Sequence, residues 1–365
     1  MIELTRQDLS DILYGCTILG TGGGGSLENG LSRIDLALEK GKRFRLVDFS
    51  EVPDEAWIAV PYMCGAISPS TPEVEAVYAH LPRIAKPMPY LAYKALEAYI
   101  GTEFYGVMST ELGGGNTAEA LYVGAWLDKY IIDADPAGRS VPEIQHSTFF
   151  INDLPVYPLA CANQFGDVAI LTQVVDDLRA EALVRAMAVA SHNRIGVADH
   201  PAQAKTLRSA VIHGAIRYAW KLGTAWREAR QRQEAAAPLI AGLGGGRVLF
   251  RGQVDRHAYQ TLEGFTVGDI HLRGQGQDLG RSYHIWYKNE NMVAWKDEAV
   301  DVSVPDLIIV FDDRANAPVI NPYYEAGMQV TVIGLPCAAE WRTPRGIHEF
   351  GPRHFGFDFD YKPLE

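Results

Sequence analysis

The sequence predicts an α/β protein with an N-terminal three-layer α/β/α domain around a mostly parallel sheet, followed by a mixed domain that contains a β-barrel. Two patterns favour this class. Apolar strand patterns alternate with helical patterns over about the first 130 residues, which is typical of a parallel sheet covered by helices. Short β-rich segments separated by turn residues follow Gly244, which is typical of a barrel or sandwich.

The N-terminal elements follow from apolar periodicity. Thr5 and Asp8 form a T-x-x-D helix start in front of the first apolar helix face. Further helices are expected over 27–38, 72–85, 89–99 and 117–127, and strands over 43–48, 57–62, 104–109 and 130–133. In such a sheet, ligands bind beyond the carboxyl ends of the strands.

The pattern changes after about Gly166. Long helical stretches are expected over 175–191 and 202–236. Short strands are expected over 248–254, 264–272, 282–287, 292–295, 307–311 and 329–333. We therefore predict two domains, 1–166 and 167–365, with the β-rich core of the second at about 244–335. The length of 365 residues fits two domains at roughly 150 residues each.

Composition excludes several classes of protein. There are 33 basic and 45 acidic side chains, a net charge of -12, and no Lys/Arg-rich block, so we expect no nucleic-acid partner. No apolar run approaches the roughly 18 residues that span a bilayer, and the N-terminus lacks a signal-peptide pattern. We expect a soluble, cytoplasmic homo-oligomer that acts on a small molecule and has no membrane partner.

Four consecutive glycines, Gly22, Gly23, Gly24 and Gly25, free every backbone N–H of a turn that leads into a predicted helix. Such a loop can hold an anionic group of a substrate at the positive end of the helix, and we assign it this role. Close packing of another backbone is the alternative. The loop follows a helix and lacks a phosphate-loop ending, so it predicts no nucleotide cofactor.

A second polar loop, Ser109–Asn116, follows the strand expected over 104–109. Glu111 is a candidate general base or metal ligand at this sheet edge. Gly114 offers a backbone donor to a substrate. Asn116 is either a hydrogen-bond donor to the substrate or a cap that opens the next helix, and the sequence favours the cap.

The segment Asp133–Glu143 concentrates charge after a short apolar strand. Asp133 and Asp135 point to one side if that strand continues through them, and such a pair can divide acid and base roles or bind a hard cation. Arg139 can clamp a substrate carboxylate, and Glu143 is a further substrate-binding candidate. An Asp–Arg salt bridge that orders the loop is the alternative.

Three other candidates lie outside these loops. Cys64 follows an apolar strand and can act as a nucleophile if a neighbour lowers its pKa, or it is a core thiol. Asn289 and Asn291 interrupt a strand pattern. They form either a hairpin turn or substrate contacts that reach the other domain. The cysteines form no CxxC pair and the histidines show no HxH, HxxxH or HExxH spacing, so no zinc motif is present.

Six segments, in order from about residue 10 to 362, resemble one family. They are LGTGGGGS, ELGGGN, DADPAGRSVPE, KNENMVAW, PDLIIVFD and GPRHFGFDFDY. Together they resemble the S-methyl thiohydantoin desulfurase family, formerly a domain of unknown function associated with hydantoinases. The segment DADPAGRSVPE departs from the commoner DGMGRAFPE of that family.

The resemblance implies an N-terminal three-layer domain, a C-terminal barrel and a hydrolase that removes sulfur from a five-membered cyclic thiourea to give a hydantoin, as in ergothioneine catabolism. Water attack at ring carbon C2 would use Glu111 or the pair Asp133 and Asp135, with a divalent metal on these three as an option. Arg139 would orient the substrate, and loop N–H groups would stabilise developing charge. The alternatives are covalent catalysis by Cys64 and a non-catalytic partner of a hydantoinase-type enzyme.

Overall fold

The computed structural model of the protein describes residues 1–65 and 72–364. Its helices are α1 (Arg6–Leu19), α2 (Leu27–Glu39), α3 (Pro72–Tyr78), α4 (Met88–Ile100), α5 (Asn116–Trp126), α6 (Thr148–Ile151), α7 (Asp177–Ala190), α8 (Ala204–Leu207), α9 (Ala215–Gln231), α10 (Ala236–Leu243) and α11 (Pro344–Phe350). Its N-terminal strands are β1 (Ile2–Glu3), β2 (Arg45–Val47), β3 (Trp57–Gly65), β4 (Gly106–Val107), β5 (Tyr130–Ile132), β6 (Ala134–Asp135), β7 (Leu159–Ala162), β8 (Val168–Leu171), β9 (Arg194–Gln203) and β10 (Ile212–His213). The remaining strands are β11 (Arg247–Leu262), β12 (Phe265–Gly274), β13 (Ser282–Lys288), β14 (Glu290–Lys296), β15 (Ala299–Ser303), β16 (Leu307–Asp312), β17 (Ala317–Pro318) and β18 (Gln329–Leu335).

An eight-stranded sheet with the order β1-β2-β5-β4-β3-β9-β7-β8 forms the centre of the N-terminal part. Its middle strands β2, β5, β4 and β3 are parallel, and the strands on either side are antiparallel, so the sheet is mixed with a parallel core. Along β3, Ile58 and Val60 pack into one hydrophobic core while Ala59 packs into the other. Helices therefore cover both faces, and the predicted three-layer α/β arrangement is confirmed.

The C-terminal part is built on a second eight-stranded sheet, with the order β15-β14-β13-β12-β11-β18-β16-β17 and antiparallel pairing throughout. The sheet curls so that β14 also meets β16. The Asn291 side chain on β14 donates to the Ile308 carbonyl on β16 at 2.9 Å. Among the described strand pairs none joins β15 to β17. The predicted barrel segments thus form a curled antiparallel sheet with its own apolar core.

The predicted capping box at the first helix is present, because the Asp8 backbone N–H donates to Thr5 Oγ1 at 3.2 Å and Thr5 N–H donates to Asp8 Oδ2 at 2.8 Å. Helix α1 then packs closely on α9. A β-carbon on Gly15 would lie 1.7 Å from the Ala219 carbonyl oxygen, so only glycine permits this approach. This contact fixes α1, and with it the glycine loop at its C-terminal end.

The helix expected over 202–236 is wrong in its first part. Residues 202 and 203 end β9, which pairs with β3, and Ile212–His213 form β10, which pairs with β6, so tertiary pairing overrides the helical pattern there. Only the short α8 between them is helical. Gly214, at φ +73°, separates β10 from α9. The division at residue 166 stays a prediction, and strands β8 and β9 from beyond that position belong to the N-terminal sheet. No helix in the described ranges is long and apolar enough to cross a membrane.

Candidate active site

One cavity of about 1020 Å³ lies beyond the carboxyl ends of the parallel strands. It is lined by the end of β3, by the loops after β4 and β6, by the glycine loop after α1 and by the β13–β14 turn. Of the predicted site residues, it collects Gly24, Gly25, Cys64, Glu111, Asn116, Glu143 and Asn289. Its position agrees with the location of ligand sites in parallel sheets.

The two glycine-rich loops pack directly on each other beside this cavity. A β-carbon on Gly24 would lie 2.4 Å from Gly113 Cα, and one on Gly114 would lie 2.4 Å from Thr17 Oγ1. The Gly24 carbonyl accepts hydrogen bonds from Gly115 N–H at 2.9 Å and from the backbone N–H of the next residue at 3.0 Å. Close backbone packing, one of the two roles expected for Gly22–Gly25, is therefore present, and anion binding by this loop stays a prediction.

Glu111 lies in the cavity wall with its carboxylate held at both oxygens. Oε1 accepts from Asn116 Nδ2 at 2.6 Å, and Oε2 accepts from the Val141 backbone N–H at 2.8 Å. Burial raises the pKa of Glu111, while these two donors, Ser140 and Arg139 oppose the rise. The side chain is thus a buried carboxylate whose charged form is supported by hydrogen bonds.

Asn116 does not cap the helix that it opens. Helix α5 has Gly115 at its N-cap and no side-chain cap hydrogen bond. Instead the Asn116 amide bridges two loops, because Oδ1 accepts from Met63 N–H at 3.0 Å while Nδ2 donates to Glu111. The capping interpretation is therefore corrected, and Asn116 positions Glu111.

Glu290 is a second buried carboxylate in the same cavity and is not among the site residues predicted from the sequence. It is 2% exposed, and its Oε2 has no hydrogen-bond partner among the described residues. Burial and the charge of Glu111 raise the pKa of Glu290 well above its ordinary value, although Arg139 opposes them. The only sign of Glu290 in the sequence is its place between Asn289 and Asn291, both of which are predicted site residues.

Asp133 and Asp135 lie outside the cavity lining and bind separate partners. The chain leaves β5 at Asp133, and β6 pairs with β10 in a sheet of its own, so no continuous strand carries both side chains. Asp133 Oδ1 accepts from Arg217 N–H at 3.0 Å, at the start of α9. Asp135 Oδ1 accepts from Gly138 N–H at 2.8 Å within its own turn. The expected carboxylate pair is therefore not formed.

Arg139 is fully buried and all five of its N–H groups have protein acceptors. They donate to the carbonyls of Ser140, Pro305, Asp306 and Asn291 and to Thr21 Oγ1, at distances from 2.9 to 3.2 Å. No donor remains for a substrate carboxylate, so the expected clamp is corrected to a structural tie between the two halves of the chain. Asn291 belongs to the same tie and lies outside the cavity lining.

Cys64 lies on the cavity but in the protonated form. Burial raises its pKa to about 12, and the charge of Arg185 does not offset this. Arg185 is committed to Glu181, with Nε donating to Oε1 at 2.8 Å. Because the thiolate is the nucleophilic form, these surroundings do not favour attack by Cys64 at neutral pH.

Asn289 and Glu143 line the cavity with their own partners in place. Asn289 adopts φ +59° at the β13–β14 turn, and its Oδ1 accepts from Thr266 N–H at 2.9 Å. Glu143 Oε2 lies 3.0 Å from Lys288 Nζ. Both residues therefore hold the part of the cavity wall where the C-terminal sheet contacts the N-terminal loops.

Family models match nearly the whole chain. The model of the S-Me-THD-like N-terminal domain matches residues 7–173, and that of the S-Me-THD-like C-terminal domain matches residues 175–364. The chain belongs to the S-Me-THD-like family. The crystal structure of a protein from Chromobacterium violaceum shares the S-Me-THD-like fold described here, with a TM-score of 0.80, 22% sequence identity and coverage of 100% of both chains. A comparison with the curated proteins found no match.

Both family segments contribute to the cavity. The S-Me-THD-like N-terminal segment supplies Glu111, Asn116 and Glu143, and the C-terminal segment supplies Glu290. The site is thus a product of the entire S-Me-THD-like chain.

Proposed function

We propose that this protein is a hydrolase that removes sulfur from a five-membered cyclic thiourea, a thiohydantoin or S-methyl thiohydantoin, and releases the corresponding hydantoin. The observation that carries the proposal is the pair of buried glutamates, Glu111 and Glu290, on one cavity. Membership of the S-Me-THD-like family supports the ring class. The cavity volume of about 1020 Å³ is ample for a small ring.

The reaction adds water to ring carbon C2 and then breaks the C–S bond. The water oxygen becomes the hydantoin carbonyl oxygen, and sulfur leaves as hydrogen sulfide or, from the S-methyl compound, as methanethiol. A base must take a proton from water, and an acid must donate one to the ring nitrogen or the departing sulfur. Two carboxyl groups with different proton affinities meet both needs.

The surroundings of the two glutamates support an assignment of these roles. Glu290, with an unpartnered oxygen and a pKa raised well above its ordinary value, is the group that holds a proton and donates it. Glu111, whose charged form is supported by Asn116 and Val141, is the base that receives the proton from water. Burial, together with the like charge of Glu111, raises the pKa of Glu290 and so favours its protonated form.

The test is turnover of both ring types by the purified protein. A thiol reagent would detect released sulfide or methanethiol, and mass spectrometry in H₂¹⁸O would show one ¹⁸O atom in the hydantoin. We expect Glu290→Gln to lower kcat by about 10²-fold or more, because the amide cannot donate the same proton.

Glu97→Gln is the matched control, since Glu97 is also buried but outside the cavity lining. It should retain kcat even though it loses its lysine partners. Rings that bind without releasing sulfur would refute the proposal and support the non-catalytic alternative. Equal activity in wild type and Glu290→Gln would refute the assigned acid.

A further inference from the structure

Two histidines and a glutamate converge at one end of the cavity, and the proposed reaction does not use them. Glu143 and His146 come from the loop after β6, and His354 comes from the turn Pro352–Phe355 near the end of the chain. Glu143 and His146 line the cavity. The fold thus brings together residues that are far apart in the sequence, since the two histidines are 208 positions apart.

The ligand atoms of these residues form a compact triangle. His146 Nε2 lies 3.0 Å from His354 Nε2, and Glu143 Oε2 lies 3.8 Å from the first nitrogen and 4.0 Å from the second. A single ion at the centre of such a triangle would be about 2.1 Å from all three atoms, which is the bond length that zinc adopts with imidazole nitrogen and carboxylate oxygen.

The two imidazole rings face each other through their Nε2 atoms, which are 3.0 Å apart. Aromatic packing holds them, with the ring of His146 4.7 Å from that of Phe350 and 5.4 Å from that of Phe355. The rings are therefore oriented before any ion binds.

Lys288 places a positive charge beside the Glu143 carboxylate. Its Nζ lies 3.0 Å from Glu143 Oε2 and 4.1 Å from the centre of the Phe265 ring. A carboxylate has two oxygens and about four acceptor positions, so Glu143 can serve the ammonium and an ion together. The ammonium charge still opposes a second cation. Removing it should strengthen metal binding at this site.

We propose that Glu143, His146 and His354 bind one divalent transition-metal ion, with zinc the best match to the donor set. Two imidazoles and one carboxylate are the protein ligands of a class of catalytic zinc sites in which a fourth position holds water or substrate. Glu143 and His146 form part of the cavity wall, so an ion on these three residues would lie at the edge of the cavity. This set differs from Glu111, Asp133 and Asp135, the ligands expected from the sequence.

The experiment is a Zn²⁺ titration of the full chain, stripped with a chelator and then dialysed, against a competing chromophoric chelator at pH 7.5. We expect one equivalent to bind to wild type and the affinity to fall at least 100-fold in His146→Asn and His354→Gln. Co²⁺ should give a visible d–d absorption that both variants lose. Lys288→Met should bind Zn²⁺ more tightly than wild type.

His284→Gln is the matched control. His284 also lies beside a histidine and a carboxylate, with Nε2 2.6 Å from Asp269 Oδ1, but its ring stacks face to face on His271. It should retain the full equivalent of zinc. Saturating zinc should raise the Tm of wild type and His284→Gln, and leave that of His354→Gln unchanged.

Absence of stoichiometric binding to wild type, or equal binding in the His146 and His354 variants, would overturn the proposal. His354 lies on a surface turn, so its variant tests the site even where His146→Asn fails to fold. The titration contains no ring substrate. Its outcome is therefore separate from that of the sulfur-release assay, and either proposal can fail alone.

Discussion

The carboxylate of Glu290 occupies the space that a side chain on Gly23 would need. A β-carbon on Gly23 would lie 1.8 Å from Glu290 Oε1. Gly23 does not have a positive φ, unlike its neighbours Gly22 and Gly24. Glycine is therefore required here only because a side chain would not fit. The glycine loop therefore shapes the acidic site directly.

Gly23→Ala should displace Glu290 and remove sulfur release, with a loss of about 1–3 kcal/mol in the free energy of unfolding from overpacking. Urea unfolding and the thiol assay measure the two effects. Gly242→Ala is the control, because Gly242 lies in helix α10 with open space around its β-carbon position. It should keep activity and gain up to about 1 kcal/mol from helix propensity. An active Gly23→Ala protein would show that Glu290 need not hold this position.

The raised pKa of Glu290 makes stability depend on pH in a defined direction. A carboxyl whose pKa is higher in the folded state stabilises the fold below its unfolded value, near 4.5, and this contribution is lost as pH rises through the folded pKa. Glu290→Gln does not titrate. Relative to this variant, wild type should therefore lose stability from about pH 4.5 upward, by at most about 1.4 kcal/mol per pH unit. If the difference in the free energy of unfolding between wild type and Glu290→Gln stays constant between pH 4.5 and pH 8, the pKa of Glu290 is not raised in the folded state.

Asn116→Asp should move the acidic limb of the kcat/KM profile to higher pH. The change removes the donor 2.6 Å from Glu111 Oε1 and adds a like charge, and both effects raise the pKa of a base that must be deprotonated. A shift of about one unit corresponds to about 1.4 kcal/mol. Asn152→Asp is the control, since Asn152 Nδ2 donates to the Thr148 carbonyl away from the cavity lining. An acidic limb that does not move would remove Glu111 from the role of base.

Arg139→Lys should destabilise the fold by about 3 kcal/mol or more, because one ammonium cannot serve the five acceptors of a buried guanidinium. Thermal and urea unfolding measure this loss. Arg353→Lys, at an exposed pair with Asp358 and Asp360, should leave stability nearly unchanged. Wild-type stability in Arg139→Lys, combined with a higher KM for a ring that carries a carboxylate, would instead support the substrate clamp.

Cys64→Ser should retain kcat within a few-fold, since a thiol with a pKa of about 12 is protonated at neutral pH. Cys161→Ser, a buried cysteine outside the cavity lining, controls for the loss of a core thiol. Steady-state kinetics and intact-protein mass spectrometry during turnover give the answer. Loss of turnover in Cys64→Ser alone, with a covalent adduct in wild type, would establish the cysteine route.

Local patterns sufficed for much of the fold and for part of the site. Helix α5 and strand β3 were predictable because their apolar periodicity agrees with their tertiary burial, and Glu111 was found because it follows a strand of the parallel core. Glu290 was missed because its significance depends on Gly23, which lies far away in the sequence. Its raised pKa is a property of the folded cavity.

The carboxylates after β5 show why spacing alone misleads. Asp133 and Asp135 have the spacing of one strand face, but pairing of β6 with β10 redirects the chain between them. Likewise, His146 has no histidine at a zinc-motif spacing, because its neighbour His354 reaches it only through the fold. The Glu143-x-x-His146 spacing was the one local sign of this cluster.

Because both family segments supply residues to the cavity, changes in one segment affect the fit of the other. Residues 7–173 carry Gly23 and Glu111, and residues 175–364 carry Glu290 and His354. Because Gly23 comes from one segment and Glu290 from the other, the close contact between them depends on both segments together. We therefore expect the two segments to be inherited as a pair, with substitutions in one compensated in the other.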